Sequence, residues 1–232
     1  MKIHRTELYR SKLPFKSGYE KPKYNAGNKS YASNSVADIL QNNFPAPIIK
    51  DNEYRFNILK AFNMENTSID AVKSILGPDE TLKLLLELND DEQNFIASDE
   101  NINNGKFRAN LHIHTFASDG YYSPKELLED ARIYADKVFL KTGKPFAIAI
   151  TDHDTIDGYS EIVNEVAQNS EKYKNLKIIL GMESTTIEEV NGKPIQFHMM
   201  VYNIDPNDKK FRNFLLKQSE KKPSISKYVI ST

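Results

Sequence analysis

The sequence has no cysteine, so it can form neither a disulfide nor a thiolate metal site, and any metal it binds must be held by histidine and carboxylate. It also lacks a dominant charge: 31 Lys and Arg stand against 32 Asp and Glu. That balance removes the overall electrostatic case for a nucleic-acid coat or a membrane-surface protein, and any polyanion must be recognised locally. The N-terminal MKIHRTELYRSK has no apolar run of signal-peptide length, and no window approaches the roughly 20 apolar residues of a membrane helix. The expectation is a soluble, cytoplasmic protein without membrane contacts. At 232 residues, it can bury a substantial core in one large domain or two small ones.

Four stretches differ in character. Residues 1–45 are rich in Lys, Asn, Ser and Tyr, and Pro14, Gly18, Pro22 and Gly27 break any periodicity. They read as a disordered or loosely attached basic arm, a solvated tail rather than a nucleic-acid contact. Residues 46–90 read as a small helical unit. Tyr54, Ile58, Leu59 and Phe62 have helical spacing, Ile69, Val72, Ile75 and Leu76 repeat it after a Ser68 cap, and Pro78 opens a third helix through the leucines up to Leu88. Residues 91–106 form an acidic stretch with few apolar anchors, expected as a linker. Residues 107–232 then alternate strand and helix, with strands expected near 109–114, 146–151, 176–181 and 195–202. Such alternation argues for a parallel sheet or barrel flanked by helices. Ser123, Pro124 and Glu126 mark the start of the first helix as a capping box with proline at its first position. The loop before it, residues 114–122, therefore sits at the carboxyl end of the first strand, where α/β folds usually carry chemistry.

Histidine placement is the main chemical signal. Of five histidines, His112, His114, His153 and His198 fall in or just after the expected strands of this one region. His112 and His114 are two apart on a strand, so both point to one face, about 7 Å apart along the chain. Asp119 follows in a Ser-Asp-Gly turn, where Gly120 lets the backbone bend and leaves the carboxylate facing the strand end. Asp152, His153 and Asp154 come directly after a buried apolar strand, and burying them unpaired would cost several kcal/mol each, so a shared cation is the expected partner. Glu183 follows the third strand in the same relative position, and His198 lies on the fourth. Each alone has a plain structural reading: a core histidine, a turn-forming aspartate, a helix-capping or surface glutamate. Six coincident placements at successive strand ends point instead to a metal site. Lys209, Lys210, Arg212 and Lys217 follow on an expected helix and read as a solvated charged face.

The segments NLHIHTFASDG, AITDHDT, GMES and FHMMVY, which carry these residues, resemble the first three sequence motifs of the PHP (polymerase and histidinol phosphatase) superfamily, over about 100 of the 232 residues. The resemblance implies an α/β fold, a distorted (β/α)7 barrel of which only the first half is present, preceded by a small helical N-terminal region. It also implies two or three divalent ions (Zn, Mn or Fe) held by His112, His114, Asp119, His153, Glu183 and His198. The implied activity is metal-dependent hydrolysis of a phosphate mono- or diester by a metal-bridged hydroxide, with no side chain serving as nucleophile. The short signatures favour a nucleotide or oligonucleotide substrate. The family pattern continues with another histidine ligand and a late Asp-x-His pair, whereas no histidine follows His198. The chain is therefore expected to be C-terminally incomplete. The alternative is a catalytically incomplete metal-binding module acting in binding or regulation. Metal-dependent amidohydrolysis is a third reading, without the carbamylated lysine or late aspartate it normally uses.

Overall fold

Capping chemistry written in the sequence sets several element boundaries. The computed structural model describes residues 49–190 and 193–221; the arm expected over residues 1–45 lies outside them. The helices are α1 (Asp51–Ala61), α2 (Pro78–Asn89), α3 (Asp99–Asn104), α4 (Pro124–Thr142), α5 (Tyr159–Gln168) and α6 (Lys209–Lys221), and the strands are β1 (Ala109–Ile113), β2 (Phe146–Ile150), β3 (Leu176–Val190) and β4 (Lys193–Tyr202). At the start of α4, Ser123 Oγ accepts from Glu126 N at 3.2 Å and Glu126 Oε2 accepts from Ser123 N at 2.9 Å, the expected capping box. At α2 the cap residue is Gly77, which has no side chain. Asp51 of α1 takes over, its Oδ1 accepting from Asp79 N (3.0 Å) and Glu80 N (3.4 Å).

Two stretches fold differently from the sequence expectation. Ile69, Val72, Ile75 and Leu76 have helical spacing, but only Ile69–Val72 forms a single 3-10 turn. The chain then extends, and Ile75 bridges Ile178 in parallel: Ile178 N donates to Ser74 O (2.8 Å) and Leu76 N to Ile178 O (2.9 Å). Periodicity over so short an apolar run does not separate helix from strand, and the free edge of β3 decides it. Residues 91–106, expected as a linker, form a 3-10 turn (Glu92–Phe95) and α3. Their buried amides hold them in place, with Asn94 Nδ2 donating to Leu88 O (2.9 Å) and Asn101 Nδ2 to Ile96 O (3.0 Å).

The sheet runs β1-β2-β3-β4 and is curled into a half-barrel. β1, β2 and β3 are parallel, with Ala109 opposite Ala147 and Phe146 opposite Leu176. Every residue of β2 is buried, because both faces of the sheet are covered. Phe146, Ile148 and Ile150 join Ile58 of α1, Leu128 of α4 and Ile162 of α5 in one cluster. Ala147 and Ala149 turn to the other face, where their small side chains leave room for Leu84 and Leu88 of α2. The helical stretch expected as a unit of its own thus shares these cores with the sheet.

The fourth strand is not a further parallel strand. β4 runs antiparallel to β3, from Gly181 opposite Tyr202 to Val190 opposite Lys193. Only Asn191 and Gly192 separate those ends in sequence. A parallel return needs a crossover of about a dozen residues, whereas two residues of Asn-Gly type suit a hairpin. β3 therefore changes partners along its length: Leu176–Leu180 pair with β2, and from Gly181 the strand pairs with β4. The crossing is close. A Cβ on Gly181 would lie 2.7 Å from Val201 O and 2.9 Å from Tyr202 Cδ1. Gly181→Ala is expected to destabilise the fold by about 1–3 kcal/mol through overpacking, read as a lower urea midpoint at unchanged slope. An unchanged midpoint would show that this crossing relaxes freely.

Candidate metal centre

The row Ile113, Ile150 and Leu180 marks where parallel pairing ends, and the chemistry begins there. His112 and His114 straddle that row at the end of β1. His153 and Glu183 lie beyond it and face each other in an isolated parallel bridge. His198 arrives from β4: it pairs with Thr185 while Glu183 pairs with Met200, so Glu183 and His198 are diagonal neighbours on one face. Asp119 comes from the loop after β1. All six side chains singled out in the sequence meet at one end of the sheet.

Glu183 is the centre of this arrangement, its side chain only 7% exposed. Its Oε2 lies 2.6 Å from His112 Nε2, 2.9 Å from His114 Nε2 and 3.6 Å from His153 Nε2, and its Oε1 lies 2.7 Å from His198 Nδ1. Asp119 sits at the rim, its side chain 68% exposed, with Oδ1 2.6 Å from His114 Nδ1 and Oδ2 3.7 Å from His153 Nε2. His114 Nε2 is also 2.8 Å from His112 Nε2. A single proton can join those two nitrogens, so lone pairs and carboxylate oxygens are directed into one small space.

Three overlapping groups could hold metal ions: His112, His114 and Glu183; His114, Asp119 and His153; His153, Glu183 and His198. Within each group the ligand atoms lie within 4.8 Å of one another. Tetrahedral ligands on one ion at about 2.0–2.2 Å lie roughly 3.3–3.6 Å apart, so the donor pairs at 2.6–2.9 Å would open by less than about 1 Å around an ion. The donor set is nitrogen and oxygen only, suited to borderline or hard divalent ions.

Protonation favours the same use. Burial raises the Glu183 carboxyl, but the hydrogen bond and charge of His112, helped by His153 and His198, outweigh it and hold it below the usual carboxylate range. Asp119 behaves alike, with His114 and then His153 overcoming desolvation. Burial lowers His153, against the pull of Glu183, and so favours its neutral form. Ionised carboxylates and a neutral imidazole are the forms that bind metal.

The side chains that hold these ligands in place were not all anticipated. Asp152, expected to face a shared cation, turns the other way. It is buried and accepts from Thr115 N (2.7 Å), Thr115 Oγ1 (2.8 Å) and Ser118 Oγ (2.6 Å), so neutral donors of the β1 loop satisfy it. Asp154 adopts left-handed backbone (φ 51°), uncommon for a residue with a side chain. Its N donates to Glu183 O (2.9 Å) and its Oδ1 accepts from Thr185 N (2.7 Å), locking the end of β2 onto β3. The sequence signal for both was the Thr-Asp-His-Asp run after an apolar strand. Gly120 is needed for space: a Cβ there would lie 2.3 Å from His114 O. The close fold of this loop carries Asp119 back over His114. Lys209 and Lys210 are exposed, and Arg212 donates to Pro206 O (2.5 Å) and Asn207 Oδ1 (3.3 Å). The side chain of Lys217 lies outside the described residues.

Ala117, Ser118, Asp119, His153, Asp154, Thr155 and Asp157 line an open cleft beside the cluster. Comparison with curated proteins finds 5'-3' exoribonucleases. The chain is 30% identical over 119 residues to the 5'-3' exoribonuclease Rnm of Salmonella typhimurium, a match covering 51% of this chain and 35% of that protein. It is 34% identical over 108 residues to the 5'-3' exoribonuclease of Haemophilus influenzae (47% of this chain, 33% of that protein). It is 31% identical over 112 residues to Rnm of Escherichia coli (48% and 33%). The chain is a distant homologue of PHP-family phosphoesterases over about half its length. The PHP resemblance read from the motifs thus stands, although the chain spans only about a third of the length of the curated relatives it matches. No family model and no solved structure matches it. Among the described residues, no helix is long and apolar enough to cross a membrane.

Replacing Asp152 would leave buried donors of the PHP-like loop unpaired. Asp152→Ala is expected to lower stability by about 1–3 kcal/mol in urea denaturation. A neutral result would mean that the loop is held by other contacts.

Proposed function

We propose that the chain contributes the metal centre of a phosphoesterase that hydrolyses a phosphate mono- or diester of nucleotide or oligonucleotide type. The observation that carries this reading is the convergence of four imidazoles on the buried carboxylate of Glu183, with Asp119 at the rim. His112, His114, Asp119, His153, Glu183 and His198 would hold two or three divalent ions, Zn, Mn or Fe, with Glu183 shared because its two oxygens face different histidines.

When bound, such ions supply Lewis-acid charge that polarises a phosphoryl group and generates a nucleophile from water near neutral pH. The surrounding chain supports this. The cleft is lined by His153, Asp119, Asp154 and Asp157, and Glu183 Oε2 lies 3.6 Å from His153 Nε2. A phosphate anion would be repelled from so acidic a cleft unless bound cations reversed its sign, and the acids fit a metal-charged site. Asp119, exposed at the cleft mouth, is placed to keep one oxygen on His114 while the other faces His153. The similarity to 5'-3' exoribonucleases favours a nucleic-acid phosphodiester among the possible esters.

The test is metal content together with hydrolysis of bis-p-nitrophenyl phosphate and of a 5'-phosphorylated oligoribonucleotide in added Mn or Zn. The chain is expected to bind metal and turn over, and His112→Ala with His114→Ala to lose metal and at least about a hundredfold in rate. Metal without turnover would favour the metal-binding module, and absence of both would sink the proposal.

A further inference from the structure

The loop between β1 and α4 carries, besides Asp119, two large aromatic side chains that face solvent. Phe116 is 58% exposed and Tyr121 is 68% exposed. Their neighbour Tyr122 instead packs against the core, so the loop separates an inward ring from two outward ones. The outward rings are not on a loose segment. Phe116 N donates to Tyr122 O (2.9 Å), Ser118 N and Gly120 N both donate to Thr115 O (3.1 and 2.9 Å), and Asp152 clamps Thr115 and Ser118 from below. The bond from Phe116 to Tyr122 closes the loop and brings residues 116 and 121 to its two adjoining ends. Phe116 is two residues from His114 and Tyr121 two from Asp119, so each aromatic backbone lies no more than about 7 Å from that of a proposed ligand. Singly exposed rings are ordinary on a protein surface, but two of them on one hydrogen-bonded loop, each two residues from a proposed ligand, offer planar apolar surface that a nucleobase next to the scissile phosphate would match.

We propose that Phe116 and Tyr121 form a stacking platform for a nucleobase of a single-stranded RNA substrate, and that this platform selects nucleic-acid esters over simple phosphate esters. The inference rests on the phosphoesterase reading above and assigns its substrate subsite. Stacking is tolerant of base identity, because every base presents a π face. The platform therefore predicts preference for bases over no bases, with little preference among them.

The experiment is fluorescence anisotropy of 3'-labelled, 5'-phosphorylated pentaribonucleotides on the metal-loaded chain, comparing an adenine strand with an abasic strand of equal charge. The strands carry phosphorothioate linkages, so that cleavage does not erode the probe. The adenine strand is expected to bind at least tenfold more tightly. Phe116→Ala and Tyr121→Ala should each cut that advantage about tenfold, and Tyr121→Phe should keep it. Both positions are exposed, so folding is not at stake, and circular dichroism checks it. An adenine-to-abasic ratio near one in the parent chain, or a ratio unchanged in the double Phe116→Ala, Tyr121→Ala variant, overturns the platform. Hydrolysis of bis-p-nitrophenyl phosphate by the parent chain is scored separately. Its absence counts against the phosphoesterase reading, whereas turnover with a base-independent ratio counts against the platform alone.

Discussion

A carboxylate buried under four imidazoles is the constraint on which this architecture depends. Glu183 has little access to water, and its two oxygens are each met by histidine nitrogens at hydrogen-bonding distance. Removing such partners would leave a buried charge uncompensated, at a cost of several kcal/mol. Each histidine in turn directs a nitrogen toward the same point. The cluster is thus closed around a position that could hold a metal ion.

The backbone delivers this cluster by two devices at the end of the parallel sheet. The first is the change of partner along β3, which carries Glu183 beyond β2 and brings β4 back beside it, so that His198 reaches Glu183 from the antiparallel side. Gly181 marks the change because a side chain would collide with β4. The second is the pair of aspartates flanking His153. Asp152 pulls the β1 loop inward and Asp154 ties the end of β2 to β3, so neighbouring carboxylates face opposite ways and leave the histidine between them aimed at the cluster. Neither aspartate needs to touch a metal to matter, because Asp154 is bonded to the backbone of Glu183 and Asp152 holds Thr115 and Ser118, the sequence neighbours of His114 and Asp119.

Much of this was legible in the sequence. The strand-end rule located the His112, His114, His153 and Glu183 positions, and the capping box at Ser123 fixed where the β1 loop ends. What was not legible depended on partners distant in sequence. The apolar spacing of Ile75 and Leu76 is compatible with helix, and only the free edge of β3 makes it extended. The direction of β4 was available locally in Asn191 and Gly192, but the alternation of strands and helices upstream suggested another parallel strand. Three adjacent ionisable residues after β2 looked like one cation site. The left-handed turn at Asp154 splits them into one ligand candidate and two braces, a backbone detail that residue types alone do not specify. Gly120 was recognised as necessary, for bending rather than for the close approach to His114 that requires it.

Thermal denaturation with and without added Mn or Zn tests most directly whether Glu183 organises a divalent-metal site. Ligand that binds only the folded state raises the melting temperature in proportion to its differential affinity. A clear upward shift is expected for the parent chain and none for Glu183→Ala, measured from that variant's own metal-free baseline. An equal shift in both proteins, or no shift in the parent, would contradict it.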